Sequence, residues 1–172
     1  MVLAIIAVGF IYSCVKKPTY PSTPLISYNN VFRYGKQTDP DSIEVAINFQ
    51  DEEGDVGLDQ SDTFGIFKNG NLWLVYYYDS GNVHPTIPPY YFCAWDSSSN
   101  PLPPFDTLKI GYRVPRVLPP NETSQPMKGI IYAKLKKPSI KLPVHRVIMY
   151  KIYMYDRAMH KSNTIKTPEL IF

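Results

Sequence analysis

Residues 51–62, which we call the acidic loop, contain five acidic residues whose spacing resembles that of metal ligands. They fall at positions 1, 3, 5, 9 and 12 of the segment, and several of these positions present oxygen ligands to Ca²⁺ in an EF-hand loop. The residues are Asp51, Glu53, Asp55, Asp59 and Asp62. The segment is not an EF-hand, because Val56 stands where the sharp-turn glycine belongs. Closely spaced carboxylates nevertheless repel one another unless a cation or a basic partner offsets them.

This spacing raises the hypothesis of a looser Ca²⁺ site formed by Asp51, Glu53, Asp55 and Asp59. The alternative is a solvated acidic turn, in which Gly54 and Gly57 serve only to permit positive φ angles. Apart from Ca²⁺, the sequence suggests no cofactor.

Aromatic side chains offer a second kind of site. Trp73, Tyr77 and Trp95 belong to two tyrosine-rich stretches and form a candidate platform for sugars or peptides. Strand alternation places Trp73 and Tyr77 on one face and Tyr76 on the other. One of these faces is expected to be exposed or covered by a partner, whereas the alternative assigns the same rings to the core.

No catalytic constellation is visible in the sequence. The three histidines, His84, His145 and His160, have no metal-ligand spacing, and no nucleophile or phosphate-loop motif occurs. We therefore expect a protein that is not an enzyme. A hydrolase whose site is assembled only in the fold is the competing hypothesis.

The N-terminus resembles an export signal. Residues 1–13 carry no charge, and the apolar run Val2–Tyr12 is shorter than the roughly 20 residues that span a bilayer. It ends in Ile11-Tyr12-Ser13-Cys14, which fits a bacterial lipoprotein signal. In such proteins the cysteine is acylated and becomes the first residue after cleavage. A buried strand or a short core helix is the alternative.

These boundaries divide the chain into a signal peptide (1–13), a lipidated cysteine with a proline-rich tether (14–24) and one domain (25–172). With Cys14 acylated, Cys93 has no partner in the chain and is expected to be a small buried residue. The net charge of +3 is mild and the basic residues are scattered, so nucleic acid is not an expected partner.

Strand patterns follow one another along the domain. Asp41–Gln50 alternates as a half-buried strand, and Arg146–Tyr155 is apolar on both faces, as in a central strand. Asn69-Gly70 predicts a type I′ hairpin between Thr63–Lys68 and Leu72–Tyr78. The sequence also predicts strands at Tyr90–Trp95, Thr107–Val114 and Gly129–Leu135, and an edge segment at Thr164–Phe172. About eight or nine short strands without a helical pattern predict an all-β sandwich.

Four landmarks resemble a group of small, uncharacterised lipoproteins of the Bacteroidota. They are the lipobox ending at Cys14, the acidic-glycine stretch Phe49–Leu58, the segment Gln125–Gly129 and the stretch Tyr155–Asn163 before Thr167-Pro168-Glu169. The resemblance implies an outer-membrane lipoprotein with a single immunoglobulin-like antiparallel β-sandwich. It implies no activity.

Lipoproteins that this phylum exports to its surface tend to carry acidic residues after the cysteine. Here Lys16 and Lys17 follow Cys14 closely, which favours the periplasmic face of the outer membrane over the cell surface. The expected function is a lipid-anchored binding or assembly module for a protein partner in the cell envelope. A glycan-binding module that uses exposed aromatics is the alternative.

Overall fold

The computed structural model describes residues 18–78, 109–119, 124–136 and 147–172, which fold as two antiparallel sheets packed face to face. Cys14, Cys93 and Trp95 lie outside these residues, as does the predicted strand Tyr90–Trp95. In these described segments, eight strands follow one another in chain order. They are β1 (Leu25–Lys36), β2 (Asp39–Asp51), β3 (Leu72–Tyr78), β4 (Lys109–Tyr112), β5 (Met127–Lys136), β6 (Val147–Met154), β7 (Ile165–Lys166) and β8 (Leu170–Ile171).

One sheet has three strands, in the order β1-β2-β5. Its middle strand, β2, keeps the predicted alternation, because Ile43, Val45 and Ile47 are fully buried while Glu44 and Asn48 on the opposite face are partly exposed. The prediction of a half-buried strand is confirmed, and the strand extends by two residues at its start and by one at its end.

The other sheet has the order β4-β3-β6, with β7 and β8 both pairing with β6 on its far side. β6 is therefore central, as its two apolar faces predict. The closing segment lies at the edge, and Pro168 separates its two short strands, which agrees with the tolerance of edge positions for proline.

The strand order is that of an immunoglobulin-like sandwich. The first, second and fifth strands share one sheet, as strands A, B and E do in that fold, and the third and sixth pair in the other, as C and F do. Apolar side chains of both sheets form the core between them, including Ile47 from β2 and Leu74 and Tyr150 from β3 and β6. The prediction of an all-β sandwich of about eight or nine strands is confirmed, with eight strands in the described residues.

The hairpin predicted at Asn69-Gly70 is wrong. Residues Gly65–Asn69 form a 3-10 helix, and β3 pairs with β4 and β6 instead of with the preceding segment. Gly70 does have a positive φ of 111°, but it ends that helix rather than turning a hairpin. Phe64 and Ile66 are 83% and 38% exposed, so the apolar residues of this segment do not join the core.

Among the described residues, this 3-10 helix is too short to cross a bilayer, and no other helix there is long and apolar enough to do so.

Candidate functional site

Two loops meet at one end of the sandwich. The acidic loop begins at the last residue of β2, and residues 155–163, which we call the final loop, follow β6. The backbone N–H of Arg157 donates to the Asp55 carbonyl at 3.1 Å, and that of Ala158 donates to Asp55 Oδ2 at 3.2 Å. Because β2 and β6 belong to different sheets, these contacts fasten the two sheets together at this end.

Asn71 holds both loops in place. Its side chain is fully buried and donates to the carbonyls of Val56 in the acidic loop and Tyr155 in the final loop. Its Oδ1 accepts from the backbone N–H of Val114 at 3.0 Å. One amide thus satisfies backbone groups from three separate segments, and its bonds to Val56 and Val114 are buried, where polar groups require partners.

A close backbone approach fixes the middle of the acidic loop. Leu58 forms a parallel bridge with Pro115, in which its N–H donates to the Val114 carbonyl at 2.9 Å and its carbonyl accepts from Arg116 N–H at 3.2 Å. Gly57 lies directly against this segment, and a methyl group there would come within 2.5 Å of the Pro115 carbonyl oxygen. The backbone of residues 114–116 therefore forms a wall against which the acidic loop packs.

The second half of the acidic loop is neutralised by arginines. Asp59 pairs with Arg116 at 2.7 Å and with Arg157 at 3.2 Å, and Asp62 pairs with Arg157 at 3.0 Å. Arg113 adds hydrogen bonds to the carbonyls of Asp59 and Asp62. Arg157 thereby joins the final loop to the acidic loop.

The pKa of Asp62 reflects this surrounding. Partial burial opposes ionisation, but the backbone N–H of Asp59 and the Arg157 guanidinium outweigh it, so the pKa of Asp62 is lowered. The negative charges of Asp59 and Asp62 are therefore offset by arginine side chains of the protein.

The first half of the acidic loop has a different arrangement. Asp51, Asp55 and Asp156, which we call the acidic triad, each bring a carboxylate oxygen within 4.8 Å of the other two. Asp51 and Asp156 are buried and Asp55 is half-buried. His160 donates its backbone N–H to Asp156 at 2.7 Å, and its Nδ1 lies 2.9 Å from the other oxygen of that carboxylate. Within the described segments, no lysine or arginine forms an ion pair with the triad.

Burial and mutual repulsion change the protonation of the triad. Burial, followed by the negative charge of Asp55, raises the pKa of Asp51 to about 7, although backbone N–H groups of Asp55 and Gly54 act in the opposite direction. Burial also raises the pKa of Asp156, and Asp55 contributes again. The three carboxylates therefore resist full ionisation together unless a positive charge lies among them.

The structure regroups the residues of the sequence-based calcium hypothesis. It keeps Asp51 and Asp55 together, places Asp59 among arginines, and adds Asp156 from the final loop. Glu53 has a buried Oε2 without a hydrogen-bond partner but is not a member of the triad. Asp156 was not part of that hypothesis, because it lies far from the acidic loop in the chain.

The predicted aromatic platform is divided. Trp73 and Tyr77 share the face of β3 opposite to Leu74 and Tyr76, and both are half-buried. Lys151 covers the Tyr77 ring at 4.6 Å from its centroid. Trp95, the third predicted member, lies outside the described residues.

A more exposed set of large apolar side chains lies on the other sheet, where the sequence predicted no site. Its members lie on the outer face of β1 and β5 and are between 40% and 48% exposed. We call this set the apolar patch; it consists of Phe32, Tyr34, Ile130 and Tyr132. The rings of Phe32 and Tyr132 are 6.5 Å apart. The signal in the sequence is the alternation of β5, whose inward side chains are Ile131, Ala133 and Leu135.

Comparisons of the chain with models of protein families, with curated proteins and with solved structures found no match.

Proposed function

We propose that this chain is a non-catalytic, lipid-anchored protein of the cell envelope and that its sandwich is a binding or assembly module for a protein partner. The observation that carries the proposal is the apolar patch. Four large apolar side chains on one sheet face remain in contact with water, and contiguous exposed apolar surface on a soluble domain is typical of interaction sites.

The surroundings of the apolar patch indicate the chemistry of the partner. Lys128, Lys134 and Lys136 are exposed on the same face of β5 as Ile130 and Tyr132. Lys134 also lies 4.8 Å from the centroid of the Tyr34 ring. Glu44 lies on the same face and accepts from the Tyr34 hydroxyl at 2.8 Å, but the exposed lysines outnumber it. This excess of positive charge fits a protein surface that has an apolar centre and acidic side chains around it.

Anchoring would keep the domain near the membrane. The ten residues between Cys14 and Leu25 reach at most about 35 Å when fully extended. The Pro21 carbonyl accepts from Glu52 N–H at 3.1 Å, so the tether contacts the sandwich before β1 begins. A module held in this way meets partners in the same membrane or close to it, and we place it on the periplasmic face of the outer membrane.

A glycan-binding module is the alternative function. The observation in its favour is that exposed aromatic rings lie on a sheet face, where a sugar ring can stack on them. The exposed lysines favour the protein partner, because a neutral sugar has no negative charge for them to attract.

The test uses two substitutions in the apolar patch. Replacing Phe32 and Tyr132 with serine should reduce recovery of the partner from gently solubilised native membranes by about tenfold or more, since aromatic anchors carry much of the binding free energy of an interface. The amount of partner is measured by quantitative mass spectrometry of the affinity-purified protein. Thermal unfolding should remain close to that of the wild type, because both side chains are exposed.

Phe64→Ser is the matched control, because Phe64 is an exposed aromatic outside the patch. The control should retain the partner. Equal recovery with the patch variant and the wild type would contradict the proposal. If the patch variant instead loses signals on a glycan array, the glycan-binding alternative replaces it.

A further inference from the structure

We propose that the acidic triad of Asp51, Asp55 and Asp156 binds a hard divalent cation, for which Ca²⁺ is the best candidate. The site joins the end of β2 to the first residues after β6. It shares only Asp51 and Asp55 with the site predicted from the sequence, and it is independent of the apolar patch.

The spacing of the oxygens suits Ca²⁺. Oxygens within 4.8 Å of one another can all contact one ion, because Ca²⁺–O distances of about 2.4 Å allow ligands on opposite sides to lie about 4.8 Å apart. Mg²⁺ requires distances of about 2.1 Å and nearly ideal octahedral geometry. A set of carboxylates from two loops meets the more permissive demands of Ca²⁺.

A second observation, independent of the clustering, is the state of Asp51. Its side chain is 0% exposed, and its Oδ1 is buried without a hydrogen-bond partner. Its other oxygen accepts from Asp55 N–H at 3.2 Å. An unpaired oxygen of a buried carboxylate is costly, and a bound cation would satisfy it. Asp55 also has a buried Oδ1 without a partner.

The nearby basic side chains do not supply the positive charge that the acidic triad lacks. Arg116 and Arg157 are engaged by Asp59 and Asp62, while His160 contacts the triad only through Asp156. The repulsion among the three carboxylates is therefore not offset by a permanently charged side chain of the described residues.

Binding would couple the two sheets. Asp51 is the last residue of β2 in one sheet, and Asp156 follows β6 in the other. An ion held by both would tighten the contact between the acidic and final loops beyond the hydrogen bonds that Asp55 accepts from Arg157 and Ala158.

The test is thermal unfolding of the full chain in EDTA and after titration with CaCl₂. At about one hundred times Kd, Ca²⁺ should raise the melting temperature by roughly 5–10 °C. Asp55→Asn should abolish this shift, because Asp55 is the least buried ligand and its replacement preserves shape. Asp59→Asn, which removes an arginine-paired carboxylate from the same loop, should lower the melting temperature and retain the shift.

Terbium luminescence gives a second measurement that does not depend on comparing stabilities. Tb³⁺ should bind the wild type and be displaced by Ca²⁺, and Asp55→Asn should weaken its binding by at least tenfold. The proposal is overturned if millimolar Ca²⁺ changes neither the melting temperature nor the Tb³⁺ signal. It is also overturned if both responses persist in Asp55→Asn.

Discussion

Replacing Asn71 with alanine should lower the free energy of unfolding by about 3–5 kcal/mol, the largest effect that we expect from a single substitution. The side chain is fully buried and bonds to Val56, Val114 and Tyr155. Without it, two carbonyls and one N–H lose their partners in a place that water reaches poorly. Each buried polar group left unpaired costs about 1–3 kcal/mol.

Asn71→Asp separates this explanation from simple loss of volume. Aspartate has nearly the same shape, but it would present an oxygen to the carbonyls of Val56 and Tyr155 in place of the N–H donors. It should therefore destabilise the protein at neutral pH at least as strongly as alanine. Asn29→Ala, at an exposed asparagine whose amide donates to Asn48, should cost less than about 0.5 kcal/mol. Urea unfolding measures all three. An Asn71→Ala cost below about 1 kcal/mol would contradict the role of the amide as the shared anchor.

Gly57→Ala should be the next most damaging change, with a cost of about 2–3 kcal/mol. The added methyl group would meet backbone atoms of Pro115 and Arg116, which cannot rotate away as a side chain could. The acidic loop would have to separate from this wall, so the backbone hydrogen bonds of Leu58 with Val114 and Arg116 would weaken.

Gly65→Ala is the control for the Gly57 substitution. Gly65 has a positive φ of 56° but open space around its missing methyl group, so only conformational strain of about 1 kcal/mol is expected. Denaturant unfolding should rank Gly57→Ala as clearly worse. Equal costs would mean that the close approach at Gly57 does not hold the loop.

The fold was largely predictable because local patterns determine it. β2 alternates between apolar and polar residues, which indicates a strand with one buried face. β6 is apolar on both faces, which indicates a central strand. β1 is harder to predict, because most of its side chains remain exposed. The hairpin prediction at Asn69-Gly70 was wrong because this dipeptide favours positive φ without deciding which strands pair.

Only the part of the candidate site that lies within the acidic loop could be predicted from the sequence. Asp51 and Asp55 are neighbours in the chain, so their spacing is visible in the sequence. Asp156 joins them through the packing of β2 against the sheet that contains β6, a contact between distant residues that no local pattern encodes. The separation of Asp59 from the triad likewise depends on Arg116 and Arg157, which come from two other segments.

The patch on β1 and β5 illustrates a further limit. Alternation identifies Ile130 and Tyr132 as one face of a strand, but it does not reveal that Phe32 and Tyr34 of β1 lie on the same face of the same sheet. That adjacency arises from the register of β1 and β5 against β2. Surface function on a sheet is therefore harder to read from sequence than the core beneath it.

The membrane location, which is central to the proposed function, depends on the lipid at Cys14, because an anchored module and a free one meet different partners. Mass spectrometry of the N-terminal peptide from protein made in its native host tests this claim. The account predicts a chain that begins at Cys14 and carries a thioether-linked diacylglycerol. A chain that retains Met1 and has an unmodified thiol at Cys14 would contradict it.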